Sequence, residues 1–127
     1  MAGAASLIDP DTACAYLSRF RLIDPTGEPV ATTLDAIARR CVFYLLPTVP
    51  APSVVAVRDL ESWLWCDCAA GSDLPAILAS LEQVARYARR TCVAWQTARP
   101  GLVRIARRHG YRVLQPVGSG WIMLKAV

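Results

Sequence analysis

Few side chains in this chain of 127 residues could do chemistry, and their spacing narrows what that chemistry would be. The run Ser62-Trp63-Leu64-Trp65-Cys66-Asp67-Cys68 alternates in the manner of a strand and carries one carboxylate between two thiols. Alternation puts Asp67 on the face of Trp63 and Trp65, which makes it the candidate general base for a proton transfer. The plainer expectation is an acid paired with an arginine near the sheet edge, and no other catalytic residue is assigned. The small loop that follows, Ala69-Ala70-Gly71-Ser72-Asp73, leads into a helix whose first amides can hold an anion. Five cysteines (Cys14, Cys41, Cys66, Cys68, Cys92) are odd in number and scattered through apolar runs, so they read as reduced core thiols. They could act as nucleophiles, but His109 is the single histidine and stands in no partner motif. Its place at a helix end points instead to the terminal carbonyls. Cys66-x-Cys68 lacks the paired spacing of a structural zinc site, so no metal is expected.

Charge is distributed unevenly. All ten acids lie at or before Glu82, whereas the chain from Gln83 onward holds eight arginines, Lys125 and no acid. Arg86, Arg89, Arg90, Arg99, Arg104, Arg107 and Arg108 are therefore candidates for an anionic partner, nucleic acid or acidic protein. The competing expectation is a solvated basic face that pairs with the acidic first part of the same chain.

These residues need elements to position them. Leu74, Ile77, Leu78, Leu81, Val84, Ala85 and Ala88 share one helical face, with Ser72 or Asp73 as cap and Pro75 tolerated in the first turn. Glu82, Arg86 and Arg89 are expected to point away from that face. Before it, residues 4–8 read as an edge strand and residues 11–20 as a short helix capped by Asp9 or Asp11. Asp24-Pro25-Thr26-Gly27-Glu28-Pro29 reads as a loop. Thr32 or Thr33 is expected to cap a second helix carrying Leu34, Ile37 and Ala38, followed by a strand over residues 41–46. Pro47, Pro50 and Pro52 mark a loop. Strands over 53–57 and 62–68 then pair as an antiparallel hairpin through a turn at 58–61. After the long helix, residues 92–95 should form a strand parallel to 62–68, because a strand-helix-strand crossover favours that arrangement. A helix from Pro100 to Gly110 carries Arg104, Arg107 and Arg108 outward. Strands over 111–115 and 121–125 close the chain through a turn at 116–120. The four tryptophans could line a cleft, although large aromatics in strands of a small domain serve more often as core.

The resulting order, β-α-α-β-β-β-α-β-α-β-β, resembles the fold of the GCN5-related N-acetyltransferases, an α+β domain with a mixed central sheet and a closing hairpin. It would span residues 1–127 as one domain. The segment Arg99-Pro100-Gly101-Leu102-Val103-Arg104-Ile105-Ala106-Arg107-Arg108-His109-Gly110-Tyr111 is similar to that family's signature helix, which closes in Gly-Phe or Gly-Tyr before the final hairpin. The small size and short front resemble acetyltransferase-like proteins encoded beside internal virion genes of short-tailed bacteriophages.

The resemblance implies acetyl-CoA held between two splayed parallel strands, its pyrophosphate on amides at the start of the long helix, here Ala70, Gly71, Ser72 and Asp73. Family members use a loop Gln/Arg-x-x-Gly-x-Gly/Ala for this purpose. The present loop has one glycine and an acid that would repel phosphate. The family's asparagine before the last helix falls at Arg99 and its proton-donating tyrosine at Ala106, and an alanine donates no proton. The implied function is a catalytically degenerate module, with no cofactor, that binds a protein partner in a larger assembly such as a phage particle. The alternatives are an active acetyl-CoA-dependent N-acyltransferase and a nucleic-acid-binding protein acting through the basic last third. No apolar run approaches the roughly 20 residues that cross a bilayer, and the first residues lack the pattern of an export signal, so a cytoplasmic or virion location is expected.

Overall fold

Capping chemistry sets where the helices start. In a computed structural model describing residues 5–19 and 30–127, the Asp9 carboxylate accepts from the Thr12 amide at 2.9 Å and opens α1 (Pro10–Leu17). Asp73 does the same for α3 (Leu74–Tyr87), accepting from the Ala76 amide at 3.2 Å. Pro100 opens α4 (Pro100–Arg108), where its missing N–H has no intrahelical acceptor to lose, and Gly110 ends it at φ 90°. The helix α2 (Val30–Arg40) begins earlier than the threonines suggest, so Thr32 and Thr33 lie inside it rather than before it. The loop expected at residues 24–29 lies outside the described residues, as does Phe20.

Seven strands form one sheet: β1 (Ser6–Ile8), β2 (Val42–Leu46), β3 (Ser53–Leu60), β4 (Trp63–Ala70), β5 (Cys92–Thr97), β6 (Arg112–Val117) and β7 (Gly120–Ala126). Their spatial order is β1-β2-β3-β4-β5-β7-β6, with β4 and β5 parallel and the other described neighbours antiparallel. The element order expected from the sequence holds throughout. Two turns are tighter than expected. Leu60 pairs directly with Trp63, so residues 58–60 belong to β3 and the turn is Glu61-Ser62, with Glu61 at φ 57°. Val117 pairs with Gly120, leaving Gly118-Ser119 as the second turn, with Gly118 at φ 55°. Both are two-residue hairpins whose left-handed first residue matches the twist of the flanking strands.

Alternation in the strands divides the apolar residues between two faces. Under α3 and α4 lie Val55, Val57, Leu64, Cys66, Val93, Trp95 and Met123, against Ile77, Leu78, Leu81, Ala85 and Ala106. Beneath α1 and α2 lie Phe43, Val54 and Ala56, against Ala13, Leu17 and Ile37. Each large side chain so buried stabilises the fold by about 1.5–3 kcal/mol relative to exposure. Glu82 departs from expectation. It is 9% exposed and turned toward the sheet, where Lys125 of β7 reaches it at 2.9 Å and Arg86 lies at 3.5 Å.

Candidate functional site

β4 and β5 run together and then part. Trp63, Leu64, Trp65 and Cys66 pair with Cys92, Val93, Ala94 and Trp95; beyond that point β4 stays with β3, through Cys68 to Ala70, while Gln96 and Thr97 follow β7. The cause is local. On β3, Val57 pairs with Cys66 and the adjacent Ala56 with Cys68, so Asp67 is an extra, unpaired residue in β4. Such a bulge bends and twists its strand, here at the place where the two parallel strands separate.

Asp67 is held firmly at this bulge. One carboxylate oxygen accepts from Arg58 Nε at 2.8 Å, Arg40 Nε at 3.2 Å and the Cys41 thiol at 3.0 Å, and the other accepts from the Trp65 indole at 2.8 Å. Its side chain is 7% exposed. Cross-strand register could have identified Arg58, which pairs with Trp65; Arg40 and Cys41 come from a distant junction that carries no such sequence signal. Burial and the Asp67 bond push the Cys41 thiol up to about 12, and burial pushes Cys68 up to about 12 as well. Burial raises Cys66 well above its ordinary range and lifts Cys14 too, so these thiols are protonated and poor nucleophiles at neutral pH. All five cysteines are free.

At the mouth of the opening, Ala70 ends β4 and Gly71, Ser72 and Asp73 connect it to α3. Gly71 is needed for internal packing: a Cβ there would stand 2.1 Å from Ser53 Oγ and 2.5 Å from Ser53 Cα, and its φ is 145°. Ser53 is fully buried, and its hydroxyl donates to the Ser72 carbonyl at 3.0 Å. Asp73 sits at φ 65° with its carboxylate on the Ala76 amide, and Pro75 has no N–H to offer. A pyrophosphate placed here would meet a carboxylate where it requires free amides, so these residues do not fit the coenzyme's phosphates.

The remaining family positions fall in unrelated surroundings. Ala106 is fully buried between the helices and the sheet. Arg99 is the N-cap residue of α4 without a side-chain capping bond. Trp95 is buried with its ring 5.4 Å from that of Tyr111, beneath the helices, and burial raises the Tyr111 phenol. Trp63, Trp65 and Trp121 are half-buried. His109 caps the end of α4, its backbone N–H bonded to the Ala106 carbonyl at 2.9 Å. A surface hollow of about 130 Å³ lined by Val42, Tyr44, Val57, Leu64, Val84 and Ala88 lies at the far end of α3, beside the closed end of the β4–β5 pair. Among the described residues no group of His, Cys, Asp or Glu could hold a metal ion, and no helix is long and apolar enough to cross a membrane.

Apart from Arg99, the candidate arginines separate into two sets. Arg90 grips Asp59 through two bonds of 2.9 and 3.0 Å and reaches the Glu61 carbonyl, which fastens the C-terminal connection of α3 to β3 and its turn, while Arg86 pairs with Glu82 within α3. Arg89 is exposed at φ 58° just past α3. Arg104, Arg107 and Arg108 are exposed on α4 and enter no ion pair among the described residues.

As a whole, this arrangement superposes on known structures of acetyltransferases. The ribosomal-protein-S18-alanine N-acetyltransferase of Escherichia coli superposes with a TM-score of 0.67 at 11% identity, covering 100% of this chain and 94% of that one. The chain has the GCN5-related N-acetyltransferase fold. Ard1 of Thermoplasma volcanium matches it with a TM-score of 0.63 at 12% identity over 98% and 99% of the two chains. The PaiA N-acetyltransferase of Thermoplasma acidophilum, solved in complex with coenzyme A, gives 0.58 at 9% identity over 98% and 100%. No protein-family model and no curated protein matches the chain by sequence.

Proposed function

We propose that this acetyltransferase-fold protein performs no acyl transfer and works as a binding or structural module, in the phage-particle setting suggested by the sequence resemblance. The observation that carries this reading is Asp73. Its carboxylate already caps the amide end of α3, where a coenzyme pyrophosphate would have to sit. Two further features agree with it: Ala106 stands where the family's proton donor would be, and the Asp67 carboxylate is engaged by four donors at the bulge. Fold alone does not carry function, so the site decides between readings.

The second reading, an active acetyl-CoA-dependent N-acyltransferase, is favoured by one observation. β4 and β5 still separate after Cys66 and Trp95, which preserves the opening used for a thioester in that fold. Calorimetric titration with acetyl-CoA separates the two. The module reading predicts no saturable heat at millimolar coenzyme; binding at micromolar concentration would establish the second reading in its place.

A further inference from the structure

We infer that the outward face of α4, carrying Arg104, Arg107 and Arg108, is a contact surface for a nucleic-acid backbone. The inference deepens the module reading by naming the class of partner, and it is tested independently of the coenzyme cleft. It rests on how the cations are used. Five cations elsewhere hold acids: Arg40 and Arg58 hold Asp67, Arg90 holds Asp59, and Arg86 and Lys125 hold Glu82. These pairs occupy Asp59, Asp67 and Glu82, and among the described residues the three arginines of α4 enter no ion pair. No acid follows Glu82 in the sequence, so α4 has no internal counter-charge either.

The helix bears a cost for this arrangement. Arg104 lies three and four residues before Arg107 and Arg108, the spacings at which like charges on one helix face repel, by about 0.2–0.5 kcal/mol per pair. Arg107 and Arg108 sit in the last turn, where the helix dipole favours cations. Arg104 has no such compensation.

The chemistry favours phosphodiester over acidic protein. A protein interface is anchored by apolar or aromatic side chains at its centre. The large exposed apolar residues of the described surface are Leu7, Val42, Val49, Leu60 and Tyr87, none of them on α4 or β6. A face of guanidinium groups without an apolar anchor suits a repeating phosphate, which arginine binds without reading sequence.

Fluorescence anisotropy with labelled duplex and single-stranded DNA of about 20 nucleotides tests this, with three to four phosphate contacts expected. Raising salt from about 50 to 200 mM should weaken duplex binding about 40- to 150-fold. Arg104→Glu, Arg107→Glu and Arg108→Glu together should abolish binding, and the same positions changed to Lys should retain most of it. An all-Ala version, which keeps helix propensity, replaces the Glu variant if circular dichroism shows that variant unfolded. Absence of binding at low salt, undiminished binding by the charge-reversed or all-Ala protein, or displacement of DNA by poly-glutamate at lower concentration than by unlabelled DNA would each overturn the inference. The cleft remains a separate question: DNA binding together with saturable acetyl-CoA binding would sink the module reading and leave this surface standing.

Discussion

Asp67 is the residue at which sequence chemistry and structural role are most easily confused. A lone carboxylate in an alternating strand reads as a base, yet its neighbours are two guanidinium groups, an indole N–H and a thiol. Each of these needs an acceptor, and the bulge puts one carboxylate within reach of all four. Removing the carboxylate leaves the part-buried donors of Arg58, Trp65 and Cys41 without their acceptor, a cost larger than the net worth of the original bonds. Asp67→Ala is therefore expected to lower stability by about 3–5 kcal/mol in urea denaturation, with Asp67→Asn intermediate. A loss within about 0.5 kcal/mol, the range of ordinary surface changes, would show that the bulge does not depend on this carboxylate. The spacing of Asp67 and Trp65 was legible in the sequence. The contribution of Arg40 and Cys41 was not, because it depends on where the end of α2 meets the sheet, a long-range consequence of packing.

At the scale of elements, periodicity carried most of the information. A 3.6-residue apolar stripe identified α3 and period-two runs identified the strands, since both patterns are local and set by burial on one face. Turn lengths were less legible: the charged run Arg58-Asp59-Leu60-Glu61 reads as a turn, but Asp59 and Leu60 continue β3, because their partners Leu64 and Trp63 lie directly across. Glu82 was misread for a similar reason. Its helix position borders the apolar face, and its burial follows from Lys125, 43 residues later on β7. This pair fastens α3 to β7, with the Lys125 ammonium also lying 5.9 Å from the centre of the Tyr111 ring. Glu82→Ala should cost about 3 kcal/mol, as expected when one member of a buried pair is deleted. Joint replacement by Glu82→Leu and Lys125→Met should restore most of that loss in thermal melts, because two apolar side chains leave no charge unpaired. A double variant as unstable as the single would show that the charges themselves hold the helix.

For the molecule as a whole, the fold is that of the acetyltransferases, and our proposal is that the chemistry has been lost from it. The sheet order, the splay at Asp67 and the closing hairpin make up the acetyltransferase fold; on the proposed reading, the Asp73 helix cap and Ala106 replace the phosphate grip and proton donor that the family resemblance implies. The sequence made both the fold and the altered loop legible, since the glycine count and the acid at Asp73 are visible in one dimension. It did not reveal that Gly71 is required by Ser53, or that Asp73 occupies the Ala76 amide. The most direct measurement is a crystal structure determined from crystals grown with millimolar coenzyme A. The predicted result is an empty gap between β4 and β5, with Asp73 still on the Ala76 amide. Pyrophosphate density seated on the first turn of α3, with the Asp73 side chain displaced, would contradict it.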